Sequence, residues 1–200
     1  SITPSRAFLM KTSATGAVEW TLLDTTVTSS FSRGTDVIPV QQSGFLWLEN
    51  IWTNGTPYSE YDTHLVRVNV DGTIRWRRTF GGDPNDYGSG IDEGRTVIQT
   101  ADGGFAFAGY TDSFIPGGFN GWLVKTDSLG YQEWQQIYWG AGRDWWADLQ
   151  QLEDGGYILV GATDSRGPQT GLPSEHAYNF WVARTTAQGD TLWTTVFGDS

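Results

Sequence analysis

Apolar residues in this chain fall in short blocks rather than in a helical rhythm, and one block recurs four times. Two or three apolar residues run into a basic residue, a polar turn with one Gly, and a Trp four residues after that Gly. The copies are Phe8 to Trp20, His64 to Trp76, Trp122 to Trp134 and Trp181 to Trp193. Gly16, Gly72, Gly130 and Gly189 recur at intervals of 56, 58 and 59 residues, the tryptophans keep the same intervals, and a period of this size marks an internal repeat. The aligned columns are Phe8/His64/Trp122/Trp181, Leu9/Leu65/Leu123/Val182, Met10/Val66/Val124/Ala183 and then Lys11/Arg67/Lys125/Arg184. Successive apolar residues, without alternation, predict a strand covered on both faces. The turn Gly supplies a positive φ, so the strand carrying the Trp is predicted to fold back antiparallel.

A second hairpin recurs three times between these pairs. Its first strand is predicted over Asp36 to Gln42, Thr96 to Ala101 and Asp148 to Glu153, and its turns are Ser43-Gly44, Asp102-Gly-Gly104 and Asp154-Gly-Gly156. The return strands are Phe45 to Leu48, Phe105 to Gly109 and Tyr157 to Gly161; Asp-Gly between apolar runs is a strong hairpin signal. Four antiparallel strands per repeat have the size and content of one β-propeller blade. The expected fold is therefore all-β, with a half blade at 7–22 and blades at 36–80, 95–138 and 147–197, about three and a half repeats. Trp20, Trp76, Trp134 and Trp193 are expected to wedge each blade against the next, an aromatic burying roughly 150–250 Å². A half blade leaves an unpaired edge, and edges are normally managed. A longer natural chain, a second chain or an unusually small ring would each manage it. The first is favoured, because Phe197-Gly-Asp-Ser200 stops where Phe80-Gly-Gly-Asp83 runs on into a strand.

Composition narrows the partners. The chain has 200 residues and 22.1 kDa, with a formal charge of −11 and a pI near 4.4. Nucleic-acid binders need a basic footprint, so nucleic acid is excluded as the expected partner, and an anionic membrane surface with it. No apolar run of 18 residues is present, so no membrane-inserted helix is expected, and no leader precedes Phe8. A start at Ser1 fits a processed, trimmed or partial product. Without Cys there is no disulfide framework and no thiolate site. Gly at 26 of 200 and Trp at 11 suit short strands joined by tight turns.

Asp-Gly-Gly-Tyr-Ile-Leu-Val-Gly-Ala-Thr-Asp-Ser (154–165), then Phe180 to Arg184, a Gly turn and Trp193, resembles the tandem propeller repeats of large secreted and cell-surface proteins of bacteria and archaea. Asp102 to Ser113 with Trp122 to Asp127 matches equally well, and the double Gly is similar to kelch repeats. The resemblance covers nearly the whole chain and implies binding or scaffolding at the cell exterior. Quinoprotein propellers share the Thr15-Gly16-Ala-Val-Glu-Trp20 docking pattern, but their earlier Asp and adjacent cysteine pair are missing here. Sialidase Asp-boxes resemble Asp71-Gly-Thr-Ile-Arg-Trp76, although three residues rather than two separate Gly from Trp, and no cluster of three arginines can be assigned.

Loops that differ between copies are where ligand contacts are expected. The loop 166–179 carries His176 and Tyr178, and 54–63 carries Tyr58 and Tyr61. Trp145 and Trp146 stand where the other copies have Glu93-Gly94 and Arg33-Gly34, an aromatic pair outside the repeat pattern and a candidate contact surface. Asp83, Asn85, Asp86, Asp92 and Glu93 gather oxygen ligands that calcium could use, at a spacing unlike an EF-hand loop. Otherwise no cofactor is expected. His64 occupies an apolar column and reads as core, and no nucleophile–base set can be assembled. Asn54-Gly-Thr56 is formally a glycosylation acceptor. The reading is a non-catalytic binding or structural module, extracellular or at the cell surface, contacting protein or carbohydrate. The alternatives are a sialidase-like propeller glycoside hydrolase or a self-assembling architectural protein, with the rest of a longer chain or a second copy completing the half blade.

Overall fold

The computed structural model describes residues 5–23, 25, 31–41, 43–54, 59–82, 90–116, 118–140, 142–164 and 178–198. Among these there are strands and turns and no helix. A two-stranded hairpin, β1 (Phe8–Thr12) with β2 (Val18–Leu23), precedes three four-stranded antiparallel sheets. The first is β3 (Phe31–Pro39), β4 (Phe45–Asn54), β5 (Ser59–Val68) and β6 (Ile74–Phe80). The second is β7 (Asp92–Gln99), β8 (Phe105–Thr111), β9 (Asn120–Thr126) and β10 (Gln132–Tyr138). The third is β11 (Asp144–Gln151), β12 (Tyr157–Thr163), β13 (Asn179–Thr185) and β14 (Thr191–Phe197). In each, spatial order follows chain order. The four units stand in succession as blade-like sheets.

The sequence pattern places the hairpins correctly but starts the first strand of each sheet too late. β3, β7 and β11 begin at Phe31, Asp92 and Asp144 rather than at Asp36, Thr96 and Asp148. Each carries a β-bulge there, with a register shift between Gly34 and Asp36, between Gly94 and Thr96, and between Trp146 and Asp148. The extra residue of a bulge resets which face its neighbours point to, so the period-2 pattern breaks although the strand continues. Trp145 and Trp146 are consequently strand residues, not part of a connection.

Sheet-to-sheet packing follows the repeat. β7 lies against β3, β4 and β5, and β11 lies against β7, β8 and β9. The first strands are tied laterally: Val97 N donates to Asp36 (2.9 Å), Thr96 Oγ1 to Asp148 (3.2 Å), Gln41 N to the Gln99 side chain (3.2 Å) and Ala101 N to the Gln151 side chain (2.8 Å). Between the first and second sheets lies a core of Leu46, Leu48, Leu65, Phe105, Phe107 and Trp122, and a second core contains Trp146, Leu149, Tyr157, Leu159 and Trp181. β9, between the two, is buried at all seven positions, as its unbroken apolar run requires. β1 alternates exposed and half-buried, and β14 is exposed throughout, because no described residues cover their outer faces.

The repeated Trp wedges as expected in three of four copies. Trp20 lies over Gly72, Trp76 over Gly130 and Trp134 over Gly189, so that a Cβ on these glycines would come within 2.8, 2.7 and 2.9 Å of the ring. Each ring also meets the first residue of the next sheet's second strand, Phe45, Phe105 or Tyr157, at 5.9, 6.1 and 6.0 Å between centroids. The glycines therefore serve twice, since each also has φ near +85°, the conformation that lets the turn close. Trp193 is 49% exposed, and Gly16 has no atom within 4 Å of where a Cβ would sit.

The basic residue that precedes each turn stands directly opposite the Trp in the ladder: Lys11 to Trp20, Arg67 to Trp76, Lys125 to Trp134, Arg184 to Trp193. In the three full sheets it fastens the other hairpin's turn. Lys125 Nζ reaches Asp102 and Glu133, each at 2.8 Å, and donates to the Thr126 carbonyl. Arg184 pairs with Asp154, and Arg67 holds the Ser43 carbonyl and hydroxyl (2.6 and 2.7 Å). The double Gly has two causes: Gly103 and Gly155 take the positive φ, while a Cβ on Gly104 or Gly156 would stand 2.3 or 2.2 Å from the backbone carbonyl oxygen of Thr126 or Thr185.

Candidate functional site

Where the first strands begin and the second strands end, the second and third sheets enclose a cleft of about 210 Å³ lined by Arg95, Tyr110, Phe119, Arg143, Trp145 and Tyr178. Two aromatic pairs form its walls. Tyr110 from β8 and Phe119, just before β9, lie 4.8 Å apart; Trp145 from β11 and Tyr178, just before β13, meet edge to face at 4.6 Å. Arg95 is the extra residue of the β7 bulge, and bulges commonly re-aim a side chain beside a site. Its guanidinium stacks over Tyr110 (5.1 Å) and Trp145 (5.6 Å), so it bridges the walls. Arg143, exposed at the rim, lies over Phe119 at 5.6 Å.

Behind the cleft, Glu93 is almost fully buried and holds several groups. Arg33 Nη2 and Arg95 Nε reach Oε1 at 2.9 and 3.1 Å, and the Tyr110 hydroxyl donates to Oε2 at 3.1 Å. Tyr61 lies close enough for the Glu93 charge to act on its phenol. Burial and then the Glu93 charge raise the phenol pKa of both Tyr61 and Tyr110, with Arg95 opposing. Both tyrosines stay protonated, and Tyr110 acts as a donor to Glu93.

Asp92, next along β7, faces the other way. It accepts from the Thr111 hydroxyl, from Ser113 Oγ at 2.7 Å and from Gly82 N at 3.0 Å. Burial raises its pKa against those three donors. The third sheet repeats the Asp–Thr pair as Asp144 with Thr163, so this arrangement belongs to the fold. Asp92 and Glu93 thus turn to opposite faces and do not converge on one cation; Asp83, Asn85 and Asp86 lie outside the described residues. Among the described residues no group of three His, Asp or Glu side chains is placed to hold a metal ion.

Of the aromatic candidates, Trp145 and Tyr178 line the cleft and Tyr61 adjoins it through Glu93. Tyr58 and His176 lie outside the described residues. Trp146 is a correction: it is 0% exposed and stacks on Trp181 at 3.9 Å, within the core between the second and third sheets. Neighbouring strand residues point to opposite faces, so only one of the pair can reach the cleft. Tyr110, Phe119, Arg95 and Arg143 went unread in the sequence. The column Arg33/Glu93/Trp145, three different chemistries at one repeat position, was the available signal.

His64 is a partial correction. It takes the place of Trp122 and Trp181, but its cross-strand partner is Glu49 where those tryptophans face Gly109 and Gly161. Buried Glu49 lies 3.2 Å from Arg77 and 3.9 Å from His64, so the first sheet carries an ionic cluster where the others carry Trp over Gly. No protein-family model matches the chain, and no curated protein matches it.

Proposed function

We propose that these sheets are blades of a β-propeller from a secreted or surface-displayed protein, and that the chain works as a non-catalytic binding module through the Arg95–Trp145 cleft. The observation that carries this is the lining itself: four aromatic rings and two guanidiniums at the junction of two sheets, with no carboxylate among the described residues that line it. Stacked rings with a few polar groups suit recognition of a saccharide ring or a side chain. A glycoside hydrolase works with a pair of carboxylates flanking the bond it cleaves. Glu93, behind the cleft, is committed to Arg33, Arg95 and Tyr110. The binding reading is therefore preferred to the sialidase-like one.

Titration of a saccharide panel against the protein, followed by Trp fluorescence, tests this. Trp145→Ala should abolish the saccharide response while leaving the melting temperature within a few degrees. Release of sugar from a chromogenic glycoside would replace the module with a hydrolase. A self-assembling architectural role is the second reading, supported by the exposed Trp193 and the empty Gly16 turn, which a further sheet of the same kind would complete.

A further inference from the structure

We infer that the ring bound in this cleft is acidic: a saccharide unit bearing a carboxylate or sulfate, its anion on Arg143 and Arg95 and its ring between the aromatic walls. The inference rests on the binding reading above. Charge is the first argument. In a chain of net charge −11 with only 12 Lys and Arg, two arginines (Arg95, Arg143) line one cleft, and a third, Arg33, joins Arg95 on Glu93 behind it. Concentrating cations against the chain's overall sign produces a local field that draws an anion.

Arg143 is the second argument. Its guanidinium has no ion-pair partner among the described residues, and its contact is the Phe119 ring. Among the described residues, Asp144 accepts from Thr163, and Asp164 accepts from the Arg143 backbone N–H rather than from its side chain. Arg95 gives Nε to Glu93, which fixes the plane of the guanidinium across both walls. A planar guanidinium held by stacking matches the two oxygens of a carboxylate or sulfate.

Size and wall chemistry select a sugar. A cleft of about 210 Å³ is below the roughly 300–1,000 Å³ of sites for drug-sized ligands and admits one ring. An acidic peptide would need an extended groove or a free strand edge, and this cleft lies between two sheets. Rings on opposite sides, Tyr110 with Phe119 and Trp145 with Tyr178, offer apolar faces to a pyranose.

Calorimetric titration of the intact chain with methyl glucuronide, methyl glucoside, methyl glucose 6-sulfate and hexaglutamate separates the outcomes. The glucuronide or the 6-sulfate should bind at least tenfold more tightly than the glucoside, and Arg143→Gln should remove most of that ratio between acid and glucoside. The acid's advantage should also shrink as salt is raised. Equal binding of acid and glucoside, both abolished by Trp145→Ala, would overturn the acidic ligand and leave the cleft as a neutral-sugar site. Binding of no saccharide, or saccharide binding indifferent to Trp145→Ala, would overturn the cleft itself. Hexaglutamate binding more tightly than every saccharide would replace the sugar with a peptide.

Discussion

Lys125 illustrates how one repeated residue type organises a whole sheet. Its ammonium joins the Asp102 turn of one hairpin to Glu133 of the next and is itself buried. Burial of Asp102 works to raise its pKa, but the Lys125 pair, the Thr100 hydroxyl and the Gly104 amide outweigh it, bringing the carboxyl down to about 2. A depressed carboxyl stabilises the fold above its unfolded pKa, near 4, and that contribution is lost as pH falls from about 4 towards 2. Asp102 is more than half exposed, so screening limits the effect to below about 1 kcal/mol. Asp102→Asn should therefore lower the melting temperature modestly at pH 6 and flatten its decline between pH 4 and 2. An unchanged slope in that window would mean that the pair contributes nothing. The sequence showed the basic column and the Asp-Gly-Gly turn separately. Their contact was not legible, because it joins residues more than twenty positions apart across two strands.

The hairpins were the most legible elements. Gly16, Gly72, Gly130 and Gly189 sit at positive φ where the pattern put them, and the Trp columns wedge where a following sheet exists. The first strands were legible only in part, because the bulges at Thr35, Arg95 and Ala147 interrupt the alternation from which a strand is read. The same interruption concealed the cleft: Arg95 is a bulge residue, and Trp145 and Trp146 read as one surface until strand parity divided them. The wedge supports a comparison between copies. Trp134 lies between two sheets, so Trp134→Ala should cost about 3 kcal/mol, whereas Trp193→Ala, with half its surface in solvent, should cost about 1 kcal/mol or less. Urea unfolding of the two variants decides this. Equal losses would show that the wedge contributes through its own sheet rather than through the next.

At the scale of the molecule, the wedge series leaves two unmatched halves. Trp20, Trp76 and Trp134 each have a glycine turn beneath them, whereas among the described residues Trp193 has none and Gly16 is a turn with no Trp above it. Beside Trp193, Leu192, Val196 and Phe197 are exposed, as are Phe8 and Met10 at the other end. Phe197 shares the Trp193 face of β14 while Val196 points to the other, and exposed apolar side chains on an edge strand mark an interaction surface or an aggregation liability. The covering element that the repeat specifies is a Gly-bearing turn with an aromatic residue beside it, as Gly189 with Tyr157 provides for Trp134. Head-to-tail contact of Trp193 with a Gly16 turn is heterologous, so it closes into a ring or propagates, depending on the rotation between copies. If a second copy supplies that turn, sedimentation of the purified chain should show a concentration-dependent species heavier than 22.1 kDa. Either Trp193→Glu or Gly16→Trp should remove it, the first by charging the wedge and the second by filling its seat. A chain that stays monomeric at high concentration, with Trp193 open to acrylamide quenching, would assign the covering sheet to another polypeptide segment rather than to a second copy.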